Sequence, residues 1–308
     1  MLTLTPGEYT ARFADPCSCA VHMTEAADLD LPERGLRSHK YTHGRALIFA
    51  GAEGFSGAAA LAANACERGG AGLTHLVVPR SIYSIAAIKC DGAVVTPLEA
   101  DAAGGFAESA AETALPLLQK ANACLIGPGL GRGKGARALL AQVLRHAACP
   151  LVVDADALTL LGDHLWMIDR CPAPLLLTPH EGEFRRIGGD LMQGRTHGAL
   201  DFGAQHSNAV LLLKGFGTLV CRGDTLSVNP TGSPALAKGG TGDVLAGLLC
   251  ALLAQGMDAL NAARCGAYLH GLAGDLAAAE TGPYSLTPSD VIRYFPQAFQ
   301  NVMQTGQP

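Results

Sequence analysis

The chain has 308 residues, 49% of them hydrophobic and 16% charged, with a formal net charge of −5 and a mean hydropathy of +0.23. That balance suits one large globular domain or two ordinary ones and excludes disordered and fibrous classes. An acidic chain with no Lys/Arg cluster also argues against a nucleic-acid binder.

Residues 1–38, with Pro6, Pro16 and Pro32 and no sustained period, read as an N-terminal arm holding at most one short helix, in "MTEAADLDL". The first residues have no basic and then apolar run of a secretory signal, so a soluble, cytoplasmic protein is expected. Within the arm, "CSCAVH" (Cys17, Cys19, His22) is the tightest cysteine cluster. It lacks a second ligand pair at zinc spacing, and the other cysteines sit singly in apolar runs, as buried reduced thiols do.

From residue 39 to the C-terminus the pattern predicts a single α/β domain. "RALIFAG" (45–51) is a buried strand, and "GAAALAANACERGGAG" (57–72) an Ala-rich helix with a Gly-rich stop. Strands follow at "THLVVP" (74–79), "ACLIGPGLG" (123–131), "PLVVDADAL" (150–158), "APLLLTPHEGEF" (173–184) and "NAVLLLKG" (208–215). "KGARALLAQVLRHA" (134–147) is a helix, and 217–230 reads as a hairpin. From Gly242 to about Val302 nearly everything is helical, and "DVLAGLLCALLAQG" is too short to span a bilayer. Uniformly apolar strands separated by helices indicate a mostly parallel sheet covered on both faces, whose ligands bind beyond the carboxyl ends of the strands. The polar and glycine-rich motifs fall at those ends.

"GGTGD" (Gly239–Asp243) turns into an apolar helix. Free N–H groups and the positive end of the helix dipole suit phosphate oxygens there. Asp243 beside a bound phosphate would accept a proton from a hydroxyl nucleophile; the plainer alternative is a helix cap. "LKGFGT" lets a ligand approach the backbone beside Lys214, or is a turn with a solvated lysine. "TPHEGEF" places His180, Glu181 and Glu183 at a helix start, where acidic residues either reach Mg²⁺ through water or answer the dipole. Of Asp154 and Asp156, one is expected to face the site and the other to cap the next helix. His270 reads as a packed core histidine, with Gly271 and Gly274 at close helix contacts.

As an ordered set, "HKYTHGRALIFAGAEGFSGAAALAANACERGGAGL", "IGPGLGR", "VVDADAL", "LTPHEGEF", "LLKGFGT" and "NPTGSPALAKGGTGDVLAGLL" resemble the NAD(P)H-hydrate dehydratase family of the ribokinase-like superfamily, over nearly the whole chain. The resemblance implies a metabolite-repair lyase that dehydrates the S form of hydrated NADH or NADPH. The ring hydroxyl is phosphorylated, at the expense of ADP in bacterial-type members and ATP in eukaryotic ones, and phosphate is then eliminated. By that resemblance Asp243 is the base and Gly240, Thr241 and Gly242 the anion hole. Gly129 and His180 line the hydrate pocket with Ala58 at its rim. Lys214, Gly215, Phe216, Gly217 and Thr218, with Gly242, hold the nucleotide. Glu183 stands where related kinases keep a Mg²⁺-linked glutamate, although those kinases have Asn in place of His180. The resemblance further implies a homo-oligomer, commonly a tetramer, and a separate epimerase, since residues 1–38 are too few for the fused epimerase domain. The competing readings are a small-alcohol kinase of the same fold, which would keep its phosphoester, and a nucleotide-binding regulator without turnover.

Overall fold

The computed structural model of the chain describes residues 22–305. Ten strands form one sheet: β1 (His22–Met23), β2 (Arg45–Phe49), β3 (Leu73–Pro79), β4 (Val94–Leu98), β5 (Ala123–Ile126), β6 (Leu151–Val153), β7 (Leu175–Leu177), β8 (Ala209–Leu213), β9 (Leu219–Arg222) and β10 (Thr225–Val228). Their order is β1-β10-β9-β8-β7-β6-β5-β2-β3-β4. Every pair from β8 to β4 is parallel, whereas β9 runs antiparallel to both β8 and β10, the hairpin expected from 217–230. β1 pairs in parallel with β10, so residues 22–23, within the stretch read as an arm, add a strand to that edge. The ring of His22 is engaged with Asp28 at 3.1 Å; Cys17 and Cys19 lie outside the described residues.

The helices are α1 (Ser56–Arg68), α2 (Tyr83–Lys89), α3 (Ala110–Leu118), α4 (Lys134–His146), α5 (Ala155–Leu161), α6 (Trp166–Arg170), α7 (Glu181–Arg186), α8 (Arg195–Gln205), α9 (Thr241–Ala254), α10 (Ala259–Thr281) and α11 (Pro288–Thr305). Alternate strand residues serve opposite faces, as the period of two requires. Ala46, Ile48, Leu76, Leu125, Val210 and Leu212 pack with α1, α9, α10 and α11. Leu47, Phe49, Val77, Ile126, Leu211 and Leu213 pack with α3, α4, α5 and α8. Because both faces are covered, the strands carry no polar alternation, and that is why they read as continuous apolar runs. α2, β4 and α3 are further elements of the stretch 81–122, where sequence patterning assigned none.

α9 is buried almost all round, from Val244 to Ala254. Unbroken burial therefore begins one residue after Asp243, and burial on this scale holds the helix start in place at roughly 1.5–3 kcal/mol per buried leucine. No helix among the described residues is long and apolar enough to cross a membrane.

Strand order reverses between β2 and β5: chain order continues outward from β2 through β3 and β4 on one side, and from β5 through β8 on the other. A crevice for ligands opens at such a reversal, beyond the carboxyl ends of the strands.

Candidate active site

Two glycine-rich loops meet at that reversal. The Gly51 N–H donates to the Pro128 carbonyl at 2.8 Å, and the Gly127 N–H to that of Phe49 at 3.2 Å. Gly129 has φ +58°, and a Cβ there would lie 2.8 Å from the Phe55 Cβ and 3.1 Å from the Ala58 Cβ. Only glycine fits, so Ala58 and Gly129 share one rim. Phe55 stands 57% exposed beside them.

Beyond β6, β7 and β8 the chain gathers charge. The ammonium of Lys214 lies 2.8 Å from Asp154 Oδ1 and 3.7 Å from Glu183 Oε2. The lysine is therefore an ion-paired group of the site, and the solvated-turn alternative falls. Asp154 is buried, and its Oδ1 also accepts a hydrogen bond from the Thr178 hydroxyl at 2.7 Å. Asp156 accepts from the Gly131 N–H and from Arg132 Nε, both at 3.0 Å. The expectation that one of these aspartates caps the helix is corrected: Asp154 occupies the N-cap position of α5 without a side-chain capping bond. Its carboxylate is drawn to the Lys214 ammonium, a stronger partner than a neutral amide. Ala155, next to it, holds φ +52°, the one positive φ outside glycine among the described residues, which places local backbone strain at this turn.

His180 caps α7. Its Nδ1 accepts from the N–H groups of Gly182 (2.9 Å) and Glu183 (3.2 Å), and Glu183 Oε2 answers by accepting from the His180 N–H at 2.9 Å. This reciprocal box fixes both side chains. It also fixes the histidine tautomer: a ring nitrogen that accepts carries no proton.

Asp243 enters from the opposite side, in the first turn of α9. Gly240 at the N-cap has φ +97°, a left-handed conformation that lets the glycine-rich turn feed the helix directly. The N–H groups of Gly242 and Asp243 have no carbonyl within the helix to bond. A Cβ on Gly242 would stand 3.5 Å from the Lys214 ammonium, so the helix start and the lysine adjoin. Thr241 contributes no hydroxyl to this opening. Its Oγ1 donates to the carbonyls of Leu236 (2.9 Å) and Lys238 (2.8 Å) and locks the turn.

Burial pushes the Asp243 carboxyl up to about 7; Asp154 adds to the rise, Lys214 opposes it, and Asp156 and Glu183 push it up further. Burial works against the charge on Lys214 too, but Asp154, Glu183 and Asp243 outweigh it and hold the ammonium above its ordinary pKa. The cluster thus has more carboxylates than cations, and Asp243 is the member whose proton is loosely held near neutral pH.

On the far side of Lys214 lies a cavity of about 380 Å³, lined by every residue from Lys214 to Thr218 and by Gly242. Its other wall was missed by sequence reasoning. Asn229 and Thr231 line it and are pinned to α10: Asn229 Nδ2 donates to the Ala267 carbonyl at 3.1 Å and Thr231 Oγ1 to that of Tyr268 at 2.9 Å. His270 holds the Thr241 carbonyl through Nε2 at 3.0 Å. Its pKa is lowered to about 4 by burial, against the Thr241 bond and helped by Lys214, so the ring is neutral. It is a packed histidine, as expected, yet it also borders the cavity. The fragment "NPTGSP" (229–234) opens one of the motifs that carry the resemblance, but nothing local says that it closes over a pocket.

No group of three or more His, Cys, Asp or Glu among the described residues is arranged to hold a metal by itself.

A family model described as NAD(P)H-hydrate dehydratase matches residues 46–297. The bifunctional NAD(P)H-hydrate repair enzyme Nnr of Moorella thermoacetica is 37% identical over 276 residues, covering 88% of this chain and 52% of that protein. The chain spans about half the length of the curated relatives it matches. Among solved structures, the ADP/ATP-dependent NAD(P)H-hydrate dehydratase of Bacillus subtilis, co-crystallised with ATP and Mg²⁺, superposes with TM-score 0.79 at 31% identity. That match covers 92% of this chain and 99% of the other. A ribokinase-like superfamily protein of Enterococcus faecalis V583 gives 0.77 at 25% identity, covering 94% and 97%. The sheet and its flanking helices are therefore ribokinase-like.

Proposed function

The chain belongs to the NAD(P)H-hydrate dehydratase family, and from that premise we propose that it dehydrates the S form of NADH or NADPH hydrate, driven by ADP cleavage to AMP and phosphate. The observation that carries this reading is the position of Asp243. A carboxyl with a pKa of about 7 stands in the first turn of a helix whose Gly242 lines a nucleotide-sized cavity and adjoins Lys214, and that position supports a base acting on a hydroxyl beside bound phosphate.

Hydroxide is a poor leaving group near neutral pH, whereas phosphate is a good one. Asp243 takes the proton of the ring hydroxyl as its oxygen bonds to the terminal phosphorus of ADP. The bridging P–O bond breaks and AMP leaves. The N–H groups at the start of α9 and the Lys214 ammonium face the charge that spreads over the moving phosphoryl oxygens. The ring nitrogen's electron pair then expels phosphate by cleaving the C–O bond. Loss of a proton from the neighbouring ring carbon restores the dihydronicotinamide. Gly240 and Gly242 keep the approach to the helix start unobstructed, and Lys214 to Thr218 receive the nucleotide.

The surplus of carboxylates around Lys214 fits a Mg²⁺ that would arrive with the nucleotide phosphates; Glu183 and Asp154 would hold it through water, the mode this ion prefers over an all-protein cage. Such an ion would neutralise phosphate charge. Free buried thiols, eight among the described residues, fit a reducing, cytoplasmic setting. An epimerase that supplies the S form, and self-association of the chain, belong to the same proposal.

The test is incubation of the protein with S-hydrate and either ADP or ATP, reading inorganic phosphate and dihydronicotinamide absorbance together. Both should rise in equal amounts. A persistent phosphoester without absorbance would make the protein a small-alcohol kinase, and no turnover with either nucleotide would remove the enzymatic reading.

A further inference from the structure

The guanidinium of Arg195, on the first residue of α8, lies beneath the turn that lines the nucleotide cavity. Its Nη1 donates to the carbonyls of Phe216 (2.7 Å) and Gly217 (3.4 Å), and its Nη2 to those of Leu213 (3.2 Å) and Lys214 (3.3 Å). Gly215 is pressed against the same group, since a Cβ there would stand 2.7 Å from Nη2. On its other side, Nε lies 3.4 Å from Glu181 Oε1, next in sequence to His180. Arg195 is only 8% exposed. The turn separates it from the cavity.

In a trans peptide unit the N–H points opposite to the C=O. Four carbonyls turned onto one cation therefore turn four N–H groups away from it, those of Lys214, Gly215, Gly217 and Thr218. The first is taken by the Pro179 carbonyl at 2.8 Å. The other three belong to residues that line the cavity. A concave row of backbone N–H groups is an anion receptor, and a buried positive charge behind it deepens the potential.

We propose that Arg195 is a positioning residue for the phosphates of a nucleoside diphosphate: by gathering the carbonyls of the Leu213–Gly217 turn, it aims the N–H groups of Gly215, Gly217 and Thr218 into the cavity. The inference rests on the functional reading above for the identity of the ligand. A lysine cannot substitute, because one ammonium lacks the planar fork that serves four carbonyls at once.

The experiment is calorimetric titration of ADP, without hydrate, into wild type, Arg195→Lys and Gly215→Ala, with melting temperatures for all three and KM for both substrates. Gly215→Ala attacks the same contact from the turn side and covers the case in which the arginine variant folds poorly. Either variant that melts as a folded protein should bind ADP at least tenfold more weakly, while KM for the hydrate moves less than twofold. Unchanged ADP affinity in a folded variant overturns the inference, as does an equal loss of affinity for both substrates, which marks a merely structural arginine. A wild-type protein that binds no ADP overturns the functional reading and this inference with it.

Discussion

The two sides of Lys214 are built differently. On the cavity side the ligand-facing groups are largely backbone, and buried side chains hold them in place: Arg195 behind the turn, Asn229 and Thr231 against α10, His270 against Thr241. On the crevice side, side chains reach solvent: Phe55 beside Gly129 is 57% exposed, and the His180 side chain at the start of α7 is 56% exposed. Fixed backbone donors need no rearrangement when a phosphate arrives, whereas an exposed aromatic and an imidazole can adjust to a ring. Under the proposed function the cavity side is preorganised for the nucleotide and the crevice side is adaptable to the hydrate, with Asp243 serving both.

Breaking the point shared by both sides should have the largest effect. Asp243→Asn is expected to lower kcat by about a thousandfold, within the range for loss of a general base, while ADP affinity measured by calorimetry stays within about twofold of wild type. The same substitution should stabilise the fold at high pH. The folded pKa of Asp243 is raised, so the stability of its neutral form is complete below the unfolded value of about 4 and lost as pH climbs to about 7. Thermal melts should therefore show the variant gaining on wild type between about pH 4 and pH 7 and keeping that gain above it, and a constant difference across this range would contradict the raised pKa.

Lys214→Ala tests the cavity side. It leaves Asp154 buried without its cation, at a cost of roughly 3 kcal/mol in stability. It should raise KM for ADP by tens of fold, more than it lowers kcat, in initial-rate measurements. An unchanged nucleotide dependence would sever the lysine from that side.

The pH profile sharpens the coupling between the two. Because Asp243 must be ionised to accept a proton, kcat/KM should fall about tenfold per pH unit below about 7 and flatten above it. Lys214 opposes the rise in that pKa, so in Lys214→Ala the limb should move to higher pH. A limb that stays in place would mean that another group is titrating.

The smallest change belongs to the rim. Gly129→Ala adds a Cβ at φ +58°, 2.8 Å from the Phe55 Cβ. It should raise KM for the hydrate about fivefold and cost about 1 kcal/mol in stability, with ADP binding untouched. Equal effects on both substrates would erase the distinction between the two sides.

Much of this molecule was legible before any coordinates. Apolar runs opening 45–51, 123–131 and 208–215, each range ending in glycine, indicated a covered parallel sheet with its chemistry at the strand ends, because burial on both faces removes alternation and loops carry what the core cannot. "GGTGD" showed a helix start with an acid at it, since chain geometry makes N–H groups available there whatever the fold. Partnership was not legible. Asp154 and Lys214 are sixty residues apart and meet only because β6 and β8 flank β7. Arg195, in a helix start with no distinguishing pattern, meets four carbonyls of another loop. The raised pKa of Asp243 comes from burial and from carboxylates beyond two other strand ends, β6 and β7, against the opposing Lys214 ammonium beyond β8, and those are brought together by the tertiary structure alone.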